Sequence, residues 1–554
     1  MARQRKRPDS SLENLEPRLT PSTFGTAWPD PMNLTLSFAP DGTDVLNQPS
    51  RLESTLSQTM TTADWKREML RAFQTWAKEA NINIGVLADQ GDAFGTSTVF
   101  QGSTREGDLR VGARPLATSE LAVSTPFDMY GVLSGDVIVN SGYKFKKGGA
   151  DGAYDLYTVM LQEAGHALGL ANNPNTNSVM FTRYRGVRTG LSSDDLAAIR
   201  SLYGERTPDL LEGKDGNDRF DRAATLKFVQ SGGNLKKVDP TKGMEPFVAA
   251  GDLSANTDVD VYKLQTPAKS TQFSVYFRTS QVSLLQAKVS VYDDKQRLVQ
   301  SVAATDPLSG DLVINVTGAR EKATYFVRVE PNTDSVFGVG SYRLAVSRTE
   351  DLAREATQVK AYLATSDDTN DDDDASQYNS VQFVNQDNGA DDNDRMKGTV
   401  LGDAKPSSDS RWDFSTEASI HSSSDTDYFQ VTPRRGAGTV MVATASGWRD
   451  SKLTPLVRVY DDKGIQLPVE VLSAKRGMFS VQLANAIPDK AYFIRVSAAD
   501  NLGENSTGNY KLSIDFRYDL ESMSQAASGV LTTAVKEQAY QLTLDRSQLF
   551  HFAV

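Results

Sequence analysis

Apolar positions in the first two hundred residues follow two periods. Asn33 to Phe38 alternates apolar and polar residues, the two-residue period of a half-buried strand. From Ala63 to Ala80 the period lengthens, placing Trp65, Met69, Ala72, Phe73 and Trp76 on one helical face, with Asp64 in the first turn, where a carboxylate suits the helix dipole. Strands are expected next at Ile82 to Leu87, Asp108 to Ala113 and Gly135 to Asn140. The large aromatics of the helix, Trp65, Phe73 and Trp76, read as core.

Beyond residue 206 the two-residue period dominates and repeats. Asp258 to Tyr262 (DVDVY) answers to Asp425 to Phe429 (DTDYF), and VSVYDDK from Val289 to VRVYDDK from Val457. TYFVRV from Thr324 answers to AYFIRV from Ala491, and GSYRLAV from Gly340 to GNYKLSI from Gly508. Four blocks in the same order, rich in Val, Ile, Tyr and Phe and separated by turn clusters, predict two antiparallel β-sandwiches. Between them Asp367, Asp368 and Asp371 to Asp374 form an acidic run that repels itself, a linker by composition. YQLTLD and LFHFAV near the C-terminus read as strands of a partial third module.

Candidate chemistry lies in residues 158 to 181, TVMLQEAGHALGLANNPNTNSVMF. Gln162 and His166 stand four residues apart on one helical face, Glu163 lies between them, and Gly169 and Asn172 follow. The segment resembles the metzincin pattern HExxHxxGxxH, in which three histidines bind zinc and the glutamate acts as general base. Tyr154 to Val159 resemble the approach to the active-site helix of bacterial matrixins, and Asn177 to Phe181 their Met-turn, with Met180 flooring the metal site. Leu191 to Gly204 resemble the closing matrixin helix, with Ser192 or Ser193 as N-cap and Gly204 as C-cap. The order β, α, β, β, β, active-site helix is also similar to the matrixin catalytic domain.

That resemblance implies Glu163 as the catalytic residue and His166 as a metal ligand, with Gln162 and Asn172 at the first and third ligand positions. A neutral carboxamide oxygen is a poor zinc ligand beside imidazole or carboxylate. The chain has three histidines, His166, His421 and His551, and no cysteine, so neither a histidine nor a thiolate near the site can replace the two ligands. Asp151 and Asp155 are the nearby carboxylates that could reach the cleft. The implied zinc is therefore weakly held or absent, and the domain reads as a pseudo-peptidase that binds protein or peptide. The alternatives are an active zinc endopeptidase with a non-standard site and a surface or matrix structural protein.

Charge and length narrow the remaining classes. A net charge of -12 and a pI near 5.0 argue against nucleic acid or an anionic membrane as partner, and no apolar run is long enough for a transmembrane helix. Arg3 to Arg7 supplies the positive part of an export signal without the apolar part, and Leu12 to Ser22 (LENLEPRLTPS) resembles an N-terminal segment of exported bacterial proteins. The repeats resemble bacterial pre-peptidase C-terminal domains, modules that accompany secreted proteases, which implies an extracellular or cell-surface location. Asp258 with Asp260, and Asp425 with Asp427, are candidate calcium ligands or simple turn caps. The expected plan is multidomain: an export-type segment (1–27), an α+β metzincin domain of matrixin type (28–206), a β-sandwich (208–349), an acidic linker (350–384), a second β-sandwich (385–516) and a partial β module (517–554).

Overall fold

The computed structural model describes residues 27–209, 212, 216–226, 249–347, 383–385, 399–401 and 414–517, apart from short stretches within those ranges, and Leu520. Arg3 to Arg7, the acidic run and the two C-terminal strand-like segments lie outside the described residues.

The first domain comprises β1 (Leu34–Phe38), α1 (Leu52–Leu56), α2 (Thr62–Ala77), β2 (Ile84–Val86), β3 (Leu109–Arg114), β4 (Ala122–Ser124), β5 (Val137–Asn140), β6 (Phe145–Lys146), β7 (Tyr154–Asp155), α3 (Leu156–Ala167) and α4 (Ser193–Tyr203). Its sheet runs β2-β1-β3-β5-β4 and is parallel except for β4, which pairs antiparallel with β5 and forms one edge. Alternation along the strands explains how both faces are covered. Leu36, Val111 and Val139 join the helix-side core, while Ile138 packs with Ala39, Val45 and Phe94 on the other face. Helix α2 starts where the Thr61 side chain accepts from Asp64 N at 3.2 Å, and it buries Trp65, Met69, Phe73 and Trp76. Trp76 Nε1 donates to Leu161 O at 2.8 Å, fixing α3 against α2. The helix ends at Ala77, three residues before its expected limit.

Nine strands follow: β8 (Ala224–Thr225), β9 (Ala249–Leu253), β10 (Asp260–Gln265), β11 (Gln272–Arg278), β12 (Ala287–Asp293), β13 (Leu298–Ala303), β14 (Leu312–Thr317), β15 (Thr324–Pro331) and β16 (Gly340–Ser347). They form sheets ordered β13-β12-β15-β10-β8 and β14-β11-β16-β9. Tyr262, Val289 and Val327 of the first share one buried cluster with Phe273, Ile314 and Leu344 of the second. Each repeated block is a strand in both copies. Strand β10 pairs with β15 and β12 with β15, just as Thr426–Val431 and Pro455–Tyr460 both pair with Tyr492–Ala498.

Both repeats touch the first domain. Arg206, just after α4, forks onto Asp252 at 2.9 and 2.5 Å while its third nitrogen reaches Ile82 O at 2.7 Å. Gln74 of α2 donates to Val336 O and Val339 O. On the other side Gln101 bridges Val471, whose N–H donates to Gln101 O at 2.8 Å. No helix among the described residues is long and apolar enough to cross a membrane.

Candidate functional site

Asp155 opens α3. Its carboxylate accepts from Thr158 N at 2.9 Å, satisfying a helix N–H that would otherwise have no partner, and from Gly148 N of the preceding turn at 2.7 Å. Gln162, Glu163 and His166 follow on the helix, and Glu163 reaches β4. The chain leaves the helix through Gly169, whose φ of +96° lies in the left-handed region that glycine adopts without a Cβ clash. That turn brings Leu170 O to His166 Nδ1 at 2.8 Å. A carbonyl only accepts, so Nδ1 carries the proton, and burial lowers the His166 pKa. Burial thus favours the neutral form of the ring.

The floor of the site depends on another glycine. A Cβ on Gly165 would lie 2.4 Å from Met180 Sδ and 2.9 Å from the Trp76 ring, so the Met-turn packs directly against the helix backbone. Helix α4 holds that turn in place: Asp195 accepts from Ser178 Oγ at 2.5 Å and Val179 N at 3.0 Å, while completing a capping box with Ser192. Of the two expected caps, Ser192 is the one used.

Glu163 is buried, 7% exposed, and Ser124 Oγ of β4 donates to its Oε2 at 2.7 Å. Burial, only partly offset by that hydrogen bond, pushes its carboxyl up to about 7. The glutamate expected as general base thus ties the edge strand to the active-site helix. Asn172 is exposed, and its side chain hydrogen-bonds the His166 ring. The expected first and third ligand positions carry carboxamides, the third already engaged with the histidine. Asp155 caps α3 and Asp151 pairs with Lys146 at 2.7 Å, so neither supplies the missing ligand. One imidazole with two carboxamides does not match the imidazole, thiolate and carboxylate donors of zinc sites, and the residues present do not fit zinc.

The candidate calcium residues separate into two cases. Asp258 and Asp260 come together with Glu212, their ligand atoms all within 4.8 Å of one another. Asp425 accepts from His421 N at 2.7 Å and Asp427 accepts from the Tyr510 hydroxyl, but among the described residues no third carboxylate joins them. Sequence reasoning missed Ser124, Glu212 and Asn217. Strand β4 has three half-exposed residues, too few to display a period, whereas Glu212 and Asn217 carry a signal in the eight residues EGKDGNDR (212–219). These recur as NGADDNDR (388–395), keeping Gly, Asp, Asn, Asp and Arg in place.

Comparison with known proteins agrees with the architecture. The matrixin family model matches residues 51–204. Human matrix metalloproteinase-26 is 42% identical over 60 residues, 10% of this chain and 23% of that protein. Metalloendoproteinase 1 of Glycine max is 26% identical over 178 residues, covering 31% of this chain and 50% of its own length, and a probable matrix metalloproteinase of invertebrate iridescent virus 3 is 27% identical over 148 residues, or 26% and 35%. The chain spans half or less of the length of these relatives, and matrixins are zinc-dependent as a family. Residues 51–204 therefore form a matrixin-family, metalloprotease-like domain.

Proposed function

We propose that the matrixin domain is a pseudo-peptidase that holds an extended peptide or protein segment along β4 without cleaving it. The observation that carries this reading is the state of the ligand set. His166 is the domain's sole histidine, its ring is hydrogen-bonded by Leu170 and Asn172, and carboxamides stand at both other ligand positions. Glu163 is hydrogen-bonded by Ser124 of the edge strand, a contact that ties the carboxyl to the fold. Binding needs none of these lost groups. Among the described residues β4 pairs with no strand but β5, so the row of backbone groups at Ala122 and Ser124 that points away from β5 suits an added strand.

The wider reading follows from the same chain. Two pre-peptidase C-terminal-like sandwiches, at about 208–349 and 385–516, accompany the domain in an exported bacterial protein at the cell surface or outside the cell. Support comes from the matched strand pairings of the two copies and from the shared core of the first.

Fluorescence polarisation with a library of extended peptides tests the binding function, with products followed by mass spectrometry. Intact peptides are expected to bind, and Ala122→Pro, which removes a backbone donor that points away from β5, is expected to weaken binding while the fold persists. Cleaved peptides, with cleavage lost in Glu163→Ala, would show an active enzyme instead. Absence of any peptide binding would favour a structural role for the repeats.

A further inference from the structure

The acidic group at Glu212, Asp258 and Asp260 plays no part in the cleft. Simple turn capping accounts for only part of it. Asp258 Oδ2 accepts from Ser254 N at 2.7 Å and Ser254 Oγ at 2.8 Å, a cap that uses one oxygen. Asp260 is 0% exposed; its Oδ2 accepts from Tyr342 OH at 2.5 Å, but its Oδ1 has no hydrogen-bond partner. A buried carboxylate oxygen left unpaired costs free energy, and folded proteins rarely keep one without a ligand.

A separate observation lies in the connecting chain. Asn217 is 1% exposed, and neither its side-chain oxygen nor its nitrogen makes a hydrogen bond. Its amide lies close enough to Asp260 to act on that carboxyl, yet outside hydrogen-bonding geometry. Its backbone closes the loop on both sides: Asn217 N donates to Glu212 Oε2 at 3.1 Å, and Asn217 O accepts from Val261 N at 2.8 Å. A carboxamide without a hydrogen bond of its own is thus held at the group of carboxylates.

We propose that Glu212, Asp258 and Asp260, with the Asn217 carboxamide, form a binding site for a calcium-class divalent cation that clamps the chain joining the matrixin domain to the first repeat. All four donors are oxygens, the set preferred by hard cations, and irregular loop geometry suits calcium better than the strict octahedron of magnesium. The clamp follows from what the loop touches. Asp209 accepts from Glu212 N at 3.3 Å and from Asp252 N at 2.6 Å, and Asp252 holds Arg206 at the end of the matrixin domain. Fixing Glu212 against Asp258 and Asp260 therefore ties Arg206, Asp209 and Glu212 to the first repeat. In the second copy Asn388 replaces Glu212, leaving that repeat a weaker donor set.

The test uses the full chain, stripped with a chelator and titrated with calcium chloride by calorimetry, alongside limited proteolysis of the connecting chain. Calcium is expected to bind, raise the midpoint of thermal unfolding and slow cleavage within 206–217. Glu212→Gln and Asn217→Ala are each expected to weaken calcium binding at least about tenfold without lowering the midpoint of the calcium-free protein. No heat and no change in midpoint at millimolar calcium would overturn the proposal. It would equally be overturned by a response that both variants retain, which would place the ion elsewhere, or by the same response to sodium at matched ionic strength.

Discussion

Replacing Glu163 with Gln separates a structural carboxyl from a catalytic one. Glutamine keeps the oxygen that accepts from Ser124 Oγ and nearly the same volume, but it cannot ionise. The native carboxyl rises from 4.5 to about 7 on folding, mainly through burial. A raised acid contributes stability that is complete below its unfolded value and lost as pH climbs through its folded value. At about 1.4 kcal/mol per unit, the loss reaches roughly 3 kcal/mol above pH 7. Glu163→Gln should therefore match the native protein at pH 4 and exceed it in stability by about 3 kcal/mol at pH 8. Urea unfolding followed by tryptophan fluorescence suits the measurement, because Trp28, Trp65 and Trp76 are all buried in this domain. A variant less stable than native at pH 8 would refute the reasoning, since it would mean that the ionised form of Glu163 is the one the fold stabilises.

Three further outcomes test other parts of the account. Gly165→Ala drives a methyl into Met180 and Trp76 and should cost about 1–3 kcal/mol in the same unfolding assay, with a matching change in near-ultraviolet circular dichroism. Ser192→Ala removes the capping box that also steadies Asp195 beneath the Met-turn, and should cost about 1 kcal/mol. Arg206→Ala leaves Asp252 buried without its cation; a loss of about 3–5 kcal/mol is expected, with faster proteolysis between the matrixin domain and the first repeat.

What could be read from the chain alone depended on how long each periodic signal runs. Helix α2 offered four turns of buried aromatics and aliphatics, and the repeat strands offered six to ten alternating residues each, so both were legible. Strand β4 was not: Ala122, Val123 and Ser124 are too few for a period, and their pairing with β5 is a long-range choice. That omission hid the Ser124 to Glu163 contact, and with it the structural use of the expected general base. The proposed ligand set rests on residue identity and spacing, which need no coordinates. The contact between Asn172 and His166 needed coordinates, since it arises from the turn at Gly169. Likewise the aspartate pairs were visible, but Glu212 reaches the first pair only through a loop with no regular period.

Zinc binding tests the central claim most directly. The native protein and a Gln162→His, Asn172→His double variant would be loaded with zinc under identical conditions, desalted and measured for metal content. About one equivalent is expected in the double variant, whose three imidazoles complete a zinc-type donor set on an intact frame, and no stoichiometric zinc in the native protein. One equivalent of zinc in the native protein, accompanied by casein cleavage that Glu163→Ala abolishes, would contradict it.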